Sequence, residues 1–322
     1  MSNASAGGYA RPEMLADTAW LQGRLDEPGT RVIDCRDDPA DYEAAHIPGA
    51  VYMNYKRTKS AANGLVVLTP EEAAEAFGEA GIADEDEVVI YDDVGSYAGR
   101  LWWTLHHYGH RRLRILDGGW KKWVSEQRPV TREIPQPSPA SFVPAPREDD
   151  IIGADELQKL LGDPETLILD TRSALEYFGV LETLGYKKHA RRGGHVPGAR
   201  WVNWKWSLQR NGTMKPAAEL REMFHREGMD RAREMVVYCQ SAARSGRILF
   251  TLELLGYDNV RNYDGSWAEW GNSSREIESA PTWSTRTAVP AAAVALGASA
   301  LVIAAVWGAR AGLRTLGHGR GR

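Results

Sequence analysis

Cysteine is scarce in this sequence, and basic charge does not dominate it. The 322 residues include two cysteines, Cys35 and Cys239. Two thiols so far apart do not form a disulfide framework, and no Cys or His cluster has the spacing of a zinc site. The formal net charge of -4 lacks the basic excess of a general nucleic-acid-binding protein. We therefore expect a globular protein with no metal, no organic cofactor and no nucleic-acid partner.

A secretory signal is lacking as well, whereas a long apolar run is present. Residues 1–20 show no basic start followed by an apolar stretch, so no export signal is predicted. Residues 288–309 carry no charge, and a helix of that length would span about 30 Å, the thickness of a bilayer core. We expect a C-terminal transmembrane helix with the lipid bilayer as its partner. A flexible alanine-rich tail is the alternative.

The orientation of this anchor is open. Four arginines follow the apolar run, and basic residues favour the cytoplasmic side of a membrane, which would place the rest of the chain outside. The missing export signal favours the opposite orientation. We expect a membrane-anchored protein whose folded domains lie in the cytoplasm, with the reverse orientation as the alternative.

An internal repeat organises most of the chain. Four motifs occur in the same order in both halves: an Asp-x-Arg triplet, a His-x-Pro-Gly-Ala turn, an apolar strand and an Asp-Gly-x-Trp turn. In the first half they begin at Asp34, His46, Val88 and Asp117, and in the second half at Asp170, His195, Val236 and Asp264. Four features in one order indicate two copies of one fold.

The two copies are predicted to form two domains, 10–130 and 151–278, joined by a proline-rich linker over 131–150. Within each copy, short apolar runs that end in an acidic residue, such as 166–170, alternate with helical segments, such as 217–227. This alternation predicts two α/β domains, each with a mostly parallel sheet flanked by helices.

The repeat also fixes a register between the copies. Cys239 precedes the Asp of its Asp-Gly-x-Trp turn by 25 residues, and Asp92 precedes the Asp of its own turn by 25. Cys239 therefore corresponds to Asp92, and Arg244 corresponds to Tyr97. Because the first copy has lost both the thiol and the guanidinium, we expect thiol chemistry only in the second.

Cys239 lies in a loop of small residues between an apolar strand and a predicted helix. Backbone N–H groups of such a loop can surround an anion, and the helix N-terminus adds partial positive charge. Both effects favour the thiolate at neutral pH. Arg244 is expected to bind an anionic donor through paired hydrogen bonds. A buried, inert thiol is the alternative. The residues between Cys239 and Arg244 are Gln240, Ser241, Ala242 and Ala243.

This order of motifs resembles that of the tandem-domain rhodaneses, the thiosulfate and 3-mercaptopyruvate sulfurtransferases, over roughly residues 10–275. The resemblance implies two rhodanese-like domains, the first of them catalytically silent. It also implies that Cys239 accepts sulfur as a persulfide and that loop 240–244 cradles it. The expected reaction moves sulfane sulfur from thiosulfate to cyanide or another thiophile, so the expected partners are a small anionic donor and a thiophilic acceptor.

The identity of the donor is open. The loop does not match the Cys-Gly-Ser/Thr-Gly-Val-Thr pattern typical of the mercaptopyruvate branch, and Arg244 favours a dianion such as thiosulfate. Glu176 stands where some relatives place a substrate-binding Arg. A longer segment before His195 adds basic candidates, with Arg191 and Arg192 expected to face the pocket. A solvated loop is the alternative for the two lysines. These candidates are Lys187, Lys188, Arg191 and Arg192.

Other side chains near the site receive simpler predictions. Arg172 is a candidate substrate ligand, although an ion pair with Asp170 is the favoured role. His195 and Trp267 are expected to be structural, because both recur in the copy that lacks the thiol. Cys35 is expected to be a packed side chain.

Two further functions compete with sulfur transfer by a free enzyme. A cysteine phosphatase also uses a Cys-loop-Arg cradle, but its loop has five residues between Cys and Arg, whereas four intervene between Cys239 and Arg244. The shorter loop suits a single sulfur atom better than a phosphate. A membrane-tethered module that relays persulfide sulfur between partners is the other alternative, and the apolar run 288–309 motivates it.

Overall fold

The computed structural model describes residues 8–183, 190–229 and 233–279. These residues contain two five-stranded sheets, and every strand pairing in both sheets is parallel. The prediction of two α/β domains with parallel sheets is thereby confirmed. Within the described residues, no helix has both the length and the apolar character to cross a membrane. The run 288–309 lies outside them, as do Lys187 and Lys188, so the transmembrane helix stays a prediction.

The first domain has the strand order β1-β5-β4-β2-β3. Its strands are β1 (Leu15–Ala16), β2 (Thr30–Asp34), β3 (Val51–Tyr52), β4 (Glu87–Tyr91) and β5 (Leu113–Leu116). Its helices are α1 (Thr18–Gln22), α2 (Pro39–Ala44), α3 (Pro70–Glu79), α4 (Tyr97–His107) and α5 (Gly119–Ser125). Helix α3 begins where its sequence specifies, with a capping box between Thr69 and Glu72 and a proline at the first helical position.

The second domain repeats this arrangement, with the order β6-β10-β9-β7-β8. Its strands are β6 (Ile151–Ile152), β7 (Thr166–Asp170), β8 (Arg200–Trp201), β9 (Glu234–Tyr238) and β10 (Val260–Tyr263). Its helices are α6 (Ala154–Lys159), α7 (Ala174–Tyr177), α8 (Val180–Thr183), α9 (Ala217–Arg226), α10 (Ala243–Leu254) and α11 (Ser266–Trp270). The equivalence of the two strand orders supports the register derived from the sequence.

The central strands determine where a site can form. Four consecutive residues of β4 and four of β9 are fully buried, as expected for apolar strands covered by helices on both faces. The loops that follow these strands lie at the carboxyl edge of each sheet, where parallel α/β sheets bind ligands. Asp92 begins the loop after β4, and Cys239 begins the loop after β9.

Helices α4 and α10 pack against each other between the two sheets and join the domains. The backbones meet at Gly99 and Gly246: a Cβ on Gly99 would lie 2.5 Å from the amide nitrogen of Arg247, and one on Gly246 would lie 2.6 Å from the carbonyl oxygen of Gly99. Only glycine permits this approach. Further along the helices, the rings of Trp102 and Phe250 meet edge to face at 5.2 Å. One hydrophobic cluster therefore spans both domains.

The proline-rich segment expected as a linker lies along the first domain. The amide of Ala140 donates to the carbonyl of Gly78, and the amide of Ala145 donates to the carbonyl of Tyr108. Phe142 is buried against Phe77 and His110. The domain bounds 10–130 and 151–278 stay predictions from the sequence.

Candidate active site

The loop that starts at Cys239 is fixed to helix α11 by backbone and side-chain hydrogen bonds. The carbonyl of Cys239 accepts from the amide of Trp267 at 3.0 Å, and the carbonyl of Gln240 accepts from Ala268 at 2.9 Å. The amide of Cys239 donates to the hydroxyl of Ser266 at 3.2 Å. The Asp-Gly-x-Trp turn of the repeat thus holds the backbone of the cysteine in place. Cys239 itself is 1% exposed.

The loop turns at Ala242 in the left-handed region, with φ 61°. Its counterpart in the first domain, Gly95, has φ 91°, so the two loops share this unusual turn. A side chain in this conformation costs about 1–2 kcal/mol relative to the ordinary helical region. This strained turn directs the amides of the following residues, at the start of α10, toward the centre of the loop. Backbone strain of this kind is retained where the surrounding structure requires the conformation.

The first domain shows what such a loop binds. The carboxylate of Asp92 accepts the amide of Gly95 at 2.6 Å and the amide of Ala98 at 2.8 Å. In the repeat register these amides correspond to those of Ala242 and Ser245. Within the described residues, neither of these two amides has a hydrogen-bond acceptor. Because buried N–H groups require a partner, these two amides are available to an acceptor at the centre of the loop.

Arg244 is paired with Glu176, a partner that the sequence did not indicate. Its two terminal nitrogens donate to the two carboxylate oxygens at 2.7 Å each. Glu176 also accepts from the amide and hydroxyl of Ser173, at the start of α7. Burial alone would raise the pKa of Glu176, but these contacts, above all Arg244, lower it to about 2. The loop therefore holds a matched ion pair, and the expected binding of an anionic donor by Arg244 stays a prediction.

Arg172 forms the ion pair with Asp170 that was the favoured role. Its Nε contacts both carboxylate oxygens at 3.0 Å, and Nη2 also donates to the carbonyl of Gly194. The guanidinium is fully buried and lies over the ring of Trp267, 4.6 Å from its centre. The silent domain has the same pair, Arg36 with Asp34. This geometry gives Arg172 a structural position, while its buried Nη1 has no hydrogen-bond partner among the described residues, so the candidate role as a substrate ligand stays a prediction.

Arg191 and Arg192 are also placed differently from the pocket-facing positions expected for them. Arg192 donates to the carbonyls of Trp270, Gly271 and Arg275. The terminal nitrogen of Arg191 donates to the carbonyl of Asn272 at 2.6 Å. Both guanidinium groups therefore donate to carbonyl oxygens at the end of α11 and in the segment that follows it, and they stabilise that segment.

His195 packs against Tyr177. Its ring stacks on Tyr177 with the centres 3.7 Å apart, and its Nδ1 lies 2.9 Å from the Tyr177 carbonyl. In the first domain, His46 makes the same two contacts with Tyr42. The indole of Trp267 is buried and donates from Nε1 to the carbonyl of Arg192.

The first domain contributes residues that sequence reasoning missed. Burial raises the pKa of Tyr55, as do the charges of Asp37 and Cys239. Burial and Arg100 lower the pKa of Lys59, whereas Cys239 and Asp264 oppose that effect. Tyr55 and Lys59 therefore lie within electrostatic range of Cys239. The repeat could have identified both residues as candidates, because each follows the His-x-Pro-Gly-Ala turn at a position that has a counterpart in the second copy.

A buried ion pair joins the first domain to the Asp-Gly-x-Trp turn of the second domain. Arg100 of α4, 0% exposed, donates to the carboxylate of Asp264 and to the hydroxyl and carbonyl of Thr58. The amide of Val67 donates to the other oxygen of Asp264. The segment from Thr58 to Val67 is thereby held against the catalytic domain.

The fold and this site agree with the family to which the chain can be assigned. The model of the rhodanese-like domain matches residues 17–126 and again residues 153–273. The chain belongs to the rhodanese-like family, and it carries two copies of the domain.

Several relatives share most of the length of the chain. It is 37% identical over 274 residues to the sulfur carrier protein TtuD of Thermus thermophilus, covering 82% of this chain and 96% of the relative. It is 34% identical over 274 residues to a thiosulfate sulfurtransferase of Corynebacterium glutamicum, covering 83% and 90%. The crystal structure of SseA from Escherichia coli, described as a 3-mercaptopyruvate sulfotransferase, superposes with a TM-score of 0.70 at 26% identity, covering 79% and 98%.

Proposed function

We propose that this protein is a sulfurtransferase that carries sulfane sulfur as a persulfide on Cys239, with thiosulfate as the donor. The observation that carries the proposal is the pair of amides, at Ala242 and Ser245, that have no hydrogen-bond acceptor among the described residues. Their equivalents in the first domain bind the carboxylate of Asp92. A persulfide anion on Cys239 would receive the same two hydrogen bonds.

The proposed reaction has two displacement steps. The Cys239 thiolate attacks the outer sulfur of thiosulfate, the S–S bond of the donor breaks, and sulfite leaves with the electron pair. The product is Cys239 persulfide, whose terminal sulfur is the anion in the loop. Cyanide or another thiophile then attacks that sulfur, the new S–S bond breaks, and the Cys239 thiolate is restored. No proton is gained or lost over the cycle.

The loop would stabilise the charge throughout these steps. The amides of the loop and the N-terminus of α10, a helix of 12 residues, point partial positive charge at the sulfur. The pair of Arg244 with Glu176 fixes the end of the loop through two hydrogen bonds. In this proposal Arg244 acts mainly by holding the loop, because its charge is already matched by a carboxylate.

The name of the Corynebacterium glutamicum relative supports thiosulfate as the donor. The likeness to SseA keeps 3-mercaptopyruvate as an alternative donor. The two are separated by steady-state kinetics with each donor and cyanide as the acceptor. We expect kcat/KM for thiosulfate to exceed that for 3-mercaptopyruvate, and Cys239→Ser to abolish turnover of both. The reverse preference would assign the protein to the alternative.

A second candidate function is a persulfide relay between protein partners. The relative from Thermus thermophilus, at 37% identity, is named a sulfur carrier protein, and the same loop would hold the carried sulfur. Slow turnover of thiosulfate and cyanide combined with rapid loading of Cys239 from a protein persulfide would favour the relay. Intact-mass measurement of the loaded protein follows that transfer directly.

A further inference from the structure

Two equivalent short turns lie between the sheets, one from each domain. The first is the 3₁₀ turn Tyr55–Thr58, and the second is the 3₁₀ turn Trp204–Ser207. Each follows an asparagine whose side chain accepts an amide of the turn, Asn54 in the first domain and Asn203 in the second. The turns are therefore counterparts in the repeat.

The residues that end the two turns are Lys59 and Leu208. Lys59 forms an isolated antiparallel bridge with Val67, and Leu208 forms one with Met214. Val67 is tied by its amide to Asp264 of the second domain. The amide of Met214 is tied in the same way, at 2.7 Å, to Asp117 of the first domain. Lys59 and Leu208 thus occupy equivalent positions in the repeat. The bridge partner of each one is hydrogen-bonded to an aspartate of the other domain.

The contacts of Leu208 show where this repeat position lies relative to the loop after β4. A cleft of about 570 Å³ opens over the silent loop of the first domain, and Leu208, Gly95 and Asp92 line it together. A Cβ on Gly95 would lie 2.8 Å from Cδ1 of Leu208. Leu208 is therefore in contact with the silent loop at the residue equivalent to Ala242. The repeat therefore predicts that Lys59 lies beside Ala242 in the loop of the second domain, and the electrostatic effect of Cys239 on Lys59 agrees with this position.

Lys59 is a cation without a matching carboxylate. It is half-buried, and within the described residues no hydrogen bond or ion pair of its ammonium is found. The charged and titratable groups that act on it are Arg100, Cys239 and Asp264. Asp264 is already bound to Arg100, and the charge of Arg244 is matched by Glu176. Among the described residues, the Lys59 ammonium is not one of the buried nitrogens that lack a partner, so it is open to solvent and to an anion that enters beside it.

We propose that Lys59 of the first domain binds the anionic sulfur donor above Cys239 and selects for a donor with a charged oxyanion group. The inference rests on the proposed sulfurtransferase function and deepens it. The oxygens of thiosulfate would contact the ammonium while its outer sulfur meets the thiolate. The first domain has no nucleophile at its own loop, but it supplies a specificity-determining residue to the loop of the second. Leu208 supplies no charge at the equivalent place, which agrees with the loss of chemistry at Asp92.

Three variants test this inference. Lys59→Met removes the charge and keeps most of the side-chain length, whereas Lys59→Arg keeps the charge. Lys56→Met is the matched control, because Lys56 is exposed on the same turn and paired with Asp37. We expect Lys59→Met to raise KM for thiosulfate about tenfold, the usual cost of one lost charged contact. We expect Lys59→Arg to stay within about threefold of the original protein and Lys56→Met to be unchanged.

A second measurement separates this inference from the proposed function. The alkylation of Cys239 by iodoacetamide at pH 7 requires no sulfur transfer, and loss of a nearby cation should slow it several-fold in Lys59→Met. If the original protein does not use thiosulfate, the proposed function fails. Slower alkylation in Lys59→Met would still support a cation at the thiol. Equal alkylation rates for Lys59→Met and Lys56→Met, or equal KM values for thiosulfate, would overturn the inference.

Discussion

The carboxylate of Asp92 holds, in the first domain, the position that Cys239 holds in the second, and it accepts the amides of Gly95 and Ala98. The silent loop therefore contains its own anion. The catalytic loop has the same left-handed turn, at Ala242, but has a thiol where the carboxylate would be. The hydrogen bonds of Asp92 thus indicate which amides of the second loop an anion at residue 239 would meet.

The first prediction follows from this relationship. Replacing Cys239 by Asp should give an inactive protein that is about 1 kcal/mol more stable than Cys239→Ala, because a carboxylate can accept two charge-assisted hydrogen bonds that outweigh the cost of its burial. The free energy of unfolding, measured by urea titration at pH 7, tests this. A Cys239→Asp protein less stable than Cys239→Ala would mean that the amides of Ala242 and Ser245 are not directed at residue 239.

The second prediction concerns the other thiol. Cys35 is fully buried, its sulfur lies 3.1 Å from the carbonyl of Tyr91, and burial together with Asp92 and Asp34 raises its pKa well above the usual value. It should remain a protonated thiol that accepts no sulfur. Cys35→Ser should therefore keep near-original activity, and intact mass after thiosulfate treatment should show one added sulfur in Cys35→Ser and none in Cys239→Ser. An added sulfur in Cys239→Ser would contradict the assignment.

The third prediction is a pH dependence of stability. The ordinary pKa of Glu176 is 4.5, and Arg244 and Ser173 lower it to about 2 in the folded protein. A lowered carboxyl pKa stabilises the folded state above pH 4.5, and this contribution is lost as the pH falls toward 2. At about 1.4 kcal/mol per pH unit, the shift corresponds to about 3 kcal/mol. Glu176→Gln should thus be about 3 kcal/mol less stable at pH 7.

The gap between the original protein and Glu176→Gln should narrow as the pH is lowered from 4.5 toward 2, and urea titrations at several pH values would measure it. Glu222→Gln is the control, because the Glu222 carboxylate forms an exposed pair with Arg226 and should contribute little at any pH. A gap that stays constant with pH would show that the pair with Arg244 does not set the charge of Glu176.

Much of this fold was predictable from the sequence, because the repeat reports local structure. Apolar strands, glycine turns and the Asp-Gly-x-Trp motif each depend on a few neighbouring residues, and they identified both sheets and the loop after β9. The registration of Cys239 with Asp92 needed only counting, and the two strand orders agree with it.

The electrostatics of the site were not predictable in the same way. Arg244 and Glu176 are 68 residues apart in the chain, and only tertiary packing brings them together. The charge of Arg192 suggests an anion site, but its N–H groups donate to carbonyl oxygens at and after the end of α11. Lys59 belongs to the first domain, so its electrostatic effect on Cys239 depends on how the domains pack through α4 and α10. Sequence pattern locates charges along the chain, whereas their partners are set by packing.

The last prediction tests the link between the domains. Arg100 and Asp264 form an ion pair with side chains 0% and 2% exposed, and removing one member of a buried pair leaves the other charge uncompensated, which costs about 3–5 kcal/mol. Arg100→Met and Asp264→Asn should each lower the free energy of unfolding by that amount. The double variant should lose less than the sum of the two, because it leaves no unpaired charge.

Glu79→Gln is the control for this cycle, because Glu79 pairs with Arg57 where both side chains are about half exposed, and an exposed pair contributes less than about 1 kcal/mol. Strict additivity of Arg100→Met and Asp264→Asn, or single losses no larger than that of Glu79→Gln, would show that the pair does not join the domains energetically. A positive coupling would mean that the turn supporting Cys239 is held in place by a residue of the silent domain. The retention of that domain would then have a physical reason that is independent of its lost nucleophile.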